Sequence, residues 1–350
     1  MTGNLLVLAV DSGATTIRAR LAQVGLGHTW TTLAEGSSSS GSVDELKRYI
    51  ANFAHHHLPP DSRIDAAVIG VPGRVSDDRL SASLTYIDPN LPSGFSDLFE
   101  ALGVRIGALF NDVECGARGV RMLAPSQVVD LCGYRPAGPL STERFVLGMP
   151  GTGFGVGISV AKDIVIPSEG GHMPAGRALH DELESRVFDL AASAWGGEGE
   201  SPLVTYEDLV SGPSLARIFQ AVLESSVKSS LSLEEFRAVE PRLRSISVTA
   251  AARDPRSLAQ EAAMTAFRCY GAFLGRSMRS LAMVTLPQAV FLGGSIVMGT
   301  HDLFREAFTR SFQADATHSE FLARLPVLVC LNVDLNLDGA TDAAIAALVS

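Results

Sequence analysis

Apolar runs of strand length recur along the first half of the chain. Residues 5–10 are apolar throughout, and residues 66–71, 104–110 and 145–149 are mostly apolar. Runs of this kind are typical of central strands in a buried sheet. Residues 17–24 alternate between apolar and polar side chains, which predicts a strand after the first one. The chain therefore opens with two strands joined by a short turn, and further buried strands follow.

Segments with helical signals separate these strands. Ser42-Val43-Asp44-Glu45 is a capping box, which predicts a helix that runs to about residue 57. Residues 35–41 are rich in serine and predict a flexible loop, and the hairpin-like segment 80–91 is predicted to turn at Asp88-Pro89-Asn90. Further helices are predicted at 96–102, 215–223, 228–251, 257–281 and 338–349, and later strands at 289–292 and 325–331.

Composition and net charge exclude several classes of protein and of binding partner. The chain has 350 residues, of which 46% are hydrophobic and 19% charged, and its net charge is −10. This profile is typical of a globular enzyme, and the negative charge argues against a general nucleic-acid or anionic-membrane binder. The four cysteines are scattered, and no signal peptide or transmembrane helix is recognised. We therefore expect a cytoplasmic protein without a disulfide framework and with neither nucleic acid nor membrane as a partner.

One carboxylate stands out because it follows a buried strand directly. The strand at 104–110 leads into Asn111-Asp112, and a helix is predicted after this pair. A carboxylate at the end of a strand in an open α/β fold suits a general base that takes a proton from a hydroxyl. The structural alternative is that Asn-Asp only caps the helix.

Two glycine-containing turns share one design. Asp11 to Thr16 joins two strands, and the run Gly151-Thr152-Gly153 also lies between two predicted strands. Neither turn is a Walker A loop or a Rossmann fingerprint, because a strand follows where those motifs need a helix. Small and hydroxyl residues in such a turn can surround phosphate oxygens with N–H and O–H donors. Each turn alone is also an ordinary hairpin, but the pair predicts a duplicated fold.

Three further segments carry polar or glycine signals. In Glu169-Gly170-Gly171-His172 the two glycines argue against a helix, and no third metal ligand is nearby. We therefore interpret it as a hydrogen-bonding loop for a polyhydroxylated ligand and not as a zinc site. Glu207 precedes a Ser-Gly-Pro stretch that leads into a predicted helix. Gly293-Gly294 ends a strand and lets a ring or phosphate approach the backbone closely.

In this order the segments resemble the motifs of bacterial ATP-dependent glucokinases, within the superfamily of sugar kinases, heat-shock ATPases and actin. The resemblance spans nearly the whole chain. The matching segments are a first phosphate motif at 11–18, an Asn-Asp pair at 111–112, a second phosphate motif at 151–155, a Glu-Gly-Gly-His sugar loop at 169–172, a sugar-contacting Glu207 and a Gly-Gly pair at 293–294.

The resemblance implies a fold and an activity. The fold is a two-domain, actin-like (ribonuclease H-like) duplicated α/β fold with an interdomain cleft. Residues 1–110 plus 336–350 would form the small domain and residues 111–335 the large one. The activity is that of an ATP-dependent glucokinase, which transfers the γ-phosphoryl group of ATP to the 6-hydroxyl of glucose at the entry of glycolysis. Mg²⁺ is the implied cofactor, and a homodimer is the implied assembly.

The resemblance also assigns roles to residues. Asp112 is the catalytic base, and Asp11 helps to hold Mg²⁺ through water. The sugar hydroxyls are bound by Asn111, Glu169, His172 and Glu207. ATP is bound by Asp11, Gly13, Thr15, Thr16, Thr152, Gly153, Gly293 and Gly294.

Departures from the family pattern keep two alternatives open. The sequence around the sugar differs at Thr85-Tyr86 and at Ser214, and a kinase of another hexose or of an amino sugar would explain this. The first phosphate loop has Ala14 and Thr16 where the family has Gly and Asn. An alanine adopts a positive φ less readily than glycine. This departure favours a non-catalytic regulatory protein that binds sugar or nucleotide.

Overall fold

The structure, a computed structural model, describes residues 5–39, 41–85, 88–133, 143–161, 164–177, 181–193, 203–225 and 232–349. Its internal contacts divide the chain into two compact units. The first unit comprises residues 1–127, 157–167 and 332–350, and the second comprises residues 128–156 and 168–331. The boundaries given above for a small and a large domain stay a prediction.

Fourteen strands are found in the described residues: β1 (Leu6–Ser12), β2 (Thr16–Val24), β3 (Trp30–Ser39), β4 (Ala66–Val71), β5 (Gly73–Val75), β6 (Ser81–Leu84), β7 (Asp88–Gly94), β8 (Ile106–Asn111), β9 (Val128–Asp130), β10 (Phe145–Pro150), β11 (Phe154–Ala161), β12 (Ile164–Ser168), β13 (Ala289–Leu292) and β14 (Val327–Cys330).

The α-helices of the same residues are α1 (Val43–His57), α2 (Ser96–Ala101), α3 (Asp112–Val120), α4 (Glu182–Ser193), α5 (Glu207–Val210), α6 (Gly212–Glu224), α7 (Leu233–Ala238), α8 (Arg244–Arg253), α9 (Gln260–Thr285), α10 (Ser295–Gln313), α11 (Ser319–Arg324) and α12 (Leu335–Ala346). None of the helices in these ranges is long and apolar enough to cross a membrane.

The sheet of the first unit is covered on both faces. Its strand order is β3-β2-β1-β4-β8, with β1 antiparallel to β2 and parallel to β4. Side chains alternate along a strand, so Leu8 and Val10 pack into the core cluster that includes α1 and α2. Val7 and Ala9 point the other way, into the cluster that includes α12. Burial on both faces explains why β1 is apolar throughout, as a central strand requires.

The second large sheet repeats the pattern of the first. Its order is β12-β11-β10-β13-β14-β9, and β10 is parallel to β13 as β1 is parallel to β4. In each sheet the two strands joined by the glycine-containing turn are neighbours, β1 beside β2 in the first and β10 beside β11 in the second. This repeat supports the predicted duplicated α/β fold. A smaller antiparallel sheet, β5-β6-β7, is also present.

Several predicted elements are confirmed. The capping box starts α1 as predicted, because Ser42 accepts from the Glu45 amide and Glu45 accepts from the Ser42 amide. Strand β4 has the predicted bounds, 66–71.

The prediction of a flexible loop at 35–41 is wrong over residues 35–39. These residues belong to β3, which pairs with β2 from Trp30 to Ser39. A Cβ atom at Gly36 would crowd the ring of Phe53 and the hydroxyl of Tyr49, so the small residue lets α1 pack closely on the strand. Pairing with β2 and packing against α1 outweigh the weak strand propensity of serine and glycine.

Two further predictions are corrected. Asp88-Pro89-Asn90 is not a turn but the start of β7, an edge strand of the small sheet. A proline lacks an N–H donor and is tolerated in such a strand. The helix predicted at 228–251 lies partly outside the described residues, and its described part is broken into α7 and α8 around Pro241.

Candidate active site

The first phosphate motif lies on β1, the β1–β2 turn and β2. Asp11 is near the end of β1 and is only 6% exposed. Its Oδ2 accepts hydrogen bonds from Arg18 Nε (3.2 Å) and Nη2 (2.6 Å). Its Oδ1 accepts from Nδ2 of Asn336 (3.2 Å), and Asn336 is the second residue of α12. Three donors therefore hold the Asp11 carboxylate in one orientation.

The turn itself requires no unusual backbone. The Gly13 amide donates to the Thr16 carbonyl (2.9 Å), and the side chains of Thr15 and Thr16 are exposed. Ala14 is not among the non-glycine residues with positive φ in the described part of the chain. The turn therefore closes without a left-handed residue at position 14, so alanine is compatible with its backbone.

Two arginines that the sequence analysis did not assign to the site fix this hairpin to the last helix. Arg18 pairs with Asp334 (2.6 Å) as well as with Asp11. Arg20 is 5% exposed and pairs with Asp338 (2.6 Å) and Glu35 (2.6 Å). The sequence signal was the pair of arginines on a strand whose other buried positions are apolar. Their partners Asp334 and Asp338 lie more than 300 residues away in the sequence.

Asn111 and Asp112 lie at the junction of β8 and α3. Asn111 is the N-cap of α3: its Oδ1 accepts from the amides of Val113 (3.0 Å) and Glu114 (3.3 Å). Its Nδ2 donates to the carbonyl of Gly73 (3.0 Å). Asp112 is the first residue of the helix and is partly exposed, with Oδ1 accepting from the Val113 amide (2.9 Å). The capping alternative thus applies to Asn111, and Asp112 is the residue that this cap positions.

The second phosphate motif is a three-residue turn between β10 and β11. The Gly212 amide, at the first residue of α6, donates to the Gly151 carbonyl (2.7 Å). Gly294, the N-cap of α10, has φ +87°, and a Cβ atom there would overlap the carbonyl oxygen of Pro150. The N-terminus of α6 therefore contacts the turn and that of α10 contacts the strand residue just before it, and Thr152 at the tip is exposed. Helix N-termini provide N–H donors and a positive dipole end, which suit a phosphate.

The predicted sugar-binding residues of the second unit surround the start of β11. Glu207, the first residue of α5, accepts from the Phe154 amide through Oε2 (2.8 Å). A Cβ atom at Gly171 would overlap the carbonyl oxygen of Phe154, so only glycine lets the 169–172 loop lie this close. Glu169 and His172 flank the Gly170-Gly171 pair, with 3.8 Å between Glu169 Oε2 and His172 Nε2. The structure thus brings Glu169, His172 and Glu207 into one neighbourhood.

The residues present fit a magnesium ion that is held through water. The Asp11 carboxylate accepts two hydrogen bonds at Oδ2 and one at Oδ1, so most of its acceptor sites are already used. In the described ranges no group of three or more His, Cys, Asp and Glu side chains is placed to hold a metal ion. Mg²⁺ keeps several waters and often binds through one or two carboxylates and substrate phosphates, which agrees with the arrangement at Asp11.

Comparison with known proteins identifies the family. A family model described as Glucokinase matches residues 8–347. The chain belongs to the glucokinase family. Comparison with curated protein sequences gives no match.

Solved structures agree with this assignment at the level of the fold. Glucokinase from Balamuthia mandrillaris in complex with glucose is 20% identical, with a TM-score of 0.79 over 98% of this chain and 94% of that one. A ROK family glucokinase from Streptomyces griseus in complex with glucose and AMPPNP is 19% identical, with a TM-score of 0.64 over 97% and 99%. A ROK family transcriptional regulator is 14% identical, with a TM-score of 0.67 over 98% and 78%. These neighbours show the actin-like sugar kinase fold that the sequence predicted.

Proposed function

We propose that this member of the glucokinase family is a hexose kinase that transfers the γ-phosphoryl group of ATP to the 6-hydroxyl of glucose. The observation that carries the proposal is the position of Asp112, a partly exposed carboxylate at the first residue of α3. Asn111 caps the same turn and binds the Gly73 carbonyl, so Asp112 is held by a fixed backbone. A fixed carboxylate beside a hydroxyl is what general-base catalysis requires.

Asp112 is proposed to accept the proton of the attacking hydroxyl. The phosphoryl-transfer transition state is loose, so the protein mainly positions groups and balances charge. A correctly oriented base then removes the proton as the oxygen bonds to phosphorus. Because Val113 donates to Oδ1, the Asp112 side chain has a defined orientation for this step.

The sugar is proposed to bind through Asn111, Glu169, His172 and Glu207. A carboxylate accepts from two hydroxyl groups at once and therefore distinguishes hydroxyl positions on a ring. Glu207 uses Oε2 for the Phe154 amide, which leaves Oε1 as the oxygen proposed to accept from the sugar. The Asn111 amide uses one N–H for Gly73 and would offer the other to the ligand.

ATP is proposed to bind at the two glycine-containing turns. Thr15, Thr16, Thr152 and Gly153 would supply donors to phosphate oxygens, and Gly293-Gly294 would allow the adenosine to approach the backbone. The Gly13 amide already donates to the Thr16 carbonyl, so Gly13 is proposed to stabilise the turn around the phosphate. Mg²⁺, when bound, neutralises charge on the transferred group, and Asp11 would orient waters around it.

The experiment is a coupled ADP-release assay with ATP and Mg²⁺ and a panel of glucose, mannose, glucosamine and fructose. Glucose-dependent turnover that exceeds turnover with every other sugar supports the proposal. Higher turnover with another hexose or with the amino sugar would show that this sugar, and not glucose, is the preferred substrate. Tight sugar binding in calorimetry with no ADP release for any sugar would favour a binding-only regulatory role.

A further inference from the structure

Arg79 has a backbone conformation that arginine rarely adopts. It has φ +58° and closes the turn between β5 and β6, with its amide donating to the Ser76 carbonyl (2.9 Å). A left-handed residue at the end of a short hairpin turn is usually glycine, because a Cβ atom costs energy there. A non-glycine residue in this region persists where the surrounding structure requires it. The side chain of Arg79 shows what this requirement is.

The Arg79 side chain forms a two-pronged ion pair with Glu114 on α3. Nη2 lies 2.9 Å from Oε1, and Nη1 lies 3.1 Å from Oε2. The Glu114 side chain is 3% exposed, so it is a buried charge two residues beyond Asp112. The Arg79 side chain is 38% exposed, so the desolvation cost of the pair falls mainly on Glu114. The attraction between the two charges often fails to recover such a cost, so stability alone is a weak reason for the pair.

Further contacts fasten Arg79 to the strand that precedes Asp112. The Arg79 carbonyl accepts from the Leu109 amide (2.7 Å), and Nη1 donates to the Leu109 carbonyl (3.3 Å). The guanidinium carbon lies 3.9 Å from the centre of the Phe110 ring. Arg79 thus contacts residues 109, 110 and 114, on both sides of Asn111-Asp112.

We propose that Arg79 is a positioning residue for Asp112. Its planar fork fixes Glu114, and the Glu114 amide donates to Asn111 Oδ1, so the first turn of α3 is held from two sides. This inference rests on the proposed function, because Asp112 is its proposed base. A misplacement of about 1 Å at a reacting group can lower the rate about a hundredfold. Such a loss would explain why the Arg79–Glu114 pair is kept although Arg79 has an unfavourable positive φ.

The test compares Arg79→Gly, Arg79→Lys and the double variant Arg79→Gly/Glu114→Gln. Glycine suits the left-handed turn and removes only the side chain, and the double variant also avoids an unpaired buried charge. We expect kcat to fall about tenfold to a hundredfold in both glycine variants, with the KM of hexose and of ATP changed less than about threefold. Lysine keeps the charge without the fork and should recover part of kcat.

A second readout does not depend on turnover. In Arg79→Gly the amides of Val113 and Glu114, which donate to Asn111, should exchange hydrogen about tenfold faster or more, while amides of α9 keep the wild-type rate. The matched control is Arg253→Gly, which removes the exposed ion pair with Asp302 in the second unit and should change neither readout.

The outcomes separate the two proposals. Wild-type kcat in Arg79→Gly, or unchanged exchange at Val113 and Glu114, overturns the positioning role. A wild-type protein without any sugar-dependent turnover overturns the proposed function, and faster exchange at these two amides would then still show that Arg79 holds the turn. A double variant that folds with wild-type stability and still has low kcat excludes a purely structural role.

Discussion

Carboxylates of the candidate site differ in how their oxygens are used. Both oxygens of Asp11 accept hydrogen bonds, from Arg18 and from Asn336. Glu207 gives one oxygen to the Phe154 amide, and Asp112 accepts from the Val113 amide of its own helix. This difference agrees with the proposed roles, in which Asp11 acts through water and Glu207 contacts the sugar.

Removing the carboxylate of Asp112 should abolish most of the turnover. Asp112→Ala is expected to lower kcat at least about a hundredfold, the lower end of a general-base contribution, because no group then accepts the proton. Calorimetry should show sugar binding close to that of the wild type, since Asn111 still caps α3. A variant with near-wild-type kcat would show that another group is the base.

Glu207 should affect binding more than the chemical step. Glu207→Gln keeps an acceptor for Phe154 but removes the charge, and we expect KM for the hexose to rise about tenfold to a hundredfold, the effect of a hydrogen bond to a charged group. Initial rates over a range of sugar concentrations give KM and kcat separately. Glu240→Gln, on the exposed surface of the same unit, is the control and should behave as wild type. An unchanged KM in Glu207→Gln would remove Glu207 from the sugar site.

At the scale of elements, α3 and α12 cross with almost no side chain between them. A Cβ atom at Gly339 would overlap the Cys115 carbonyl oxygen, and one at Gly119 would overlap the Leu335 carbonyl oxygen. Cys115 is buried at this crossing, and burial raises the pKa of its thiol well above the usual value. The helix that carries Asp112 therefore rests directly on the helix that carries Asn336.

This crossing predicts a large difference between two glycine substitutions. Gly339→Ala should lower the free energy of unfolding by about 1–3 kcal/mol, because the backbone must shift to accept a methyl group. Gly299→Ala, inside α10 with no atom near its Cβ position, should be neutral or raise stability by about 0.4–1 kcal/mol. Urea unfolding of both variants gives the comparison. Equal stability of the two would contradict the close crossing.

The sequence predicted those helices and strands whose formation depends on residues within the same segment. The apolar run of β4 and the capping box of α1 gave correct elements. The apolar run before Asn111 and Asp112 predicted their place between a strand and a helix, and their roles stay a prediction. Strand β3 was missed because its partner β2, and not its own composition, makes it a strand. The contacts of Asp11 with Asn336 and of Arg79 with Glu114 join distant positions of the chain, and a single sequence carries no signal for such pairs.

At the scale of the whole molecule, the first unit is assembled from separated pieces of the chain. Val7, Ala9 and Val68 share a core cluster with Leu337 and Ala340 of α12. The second unit lies between these pieces in the sequence. The face of β1 and β4 that α12 covers is apolar, so it needs this helix to be buried.

A chain shortened to residues 1–331 tests this dependence. Without α12 the amides of β1 and β4 should lose much of their protection from hydrogen exchange, because one face of their sheet is exposed to water. Amides of α9, whose core partners include Phe304 and Phe308 on α10, should keep theirs. Wild-type protection in β1 would mean that α12 adds little to this unit.

The position of α12 also has a consequence during synthesis. Residues of β4 leave the ribosome long before residues 335–346 do, and translation at about 5–20 residues per second separates them by roughly ten seconds to a minute. For that interval the part of this sheet face that α12 covers stays exposed, and only earlier residues such as Cys115 of α3 contact the face. Meanwhile α9, α10 and β13 emerge and can pack with one another. Exposed apolar strand faces favour aggregation. A chaperone that shields this part of β1 and β4 would therefore act before the last helix is made.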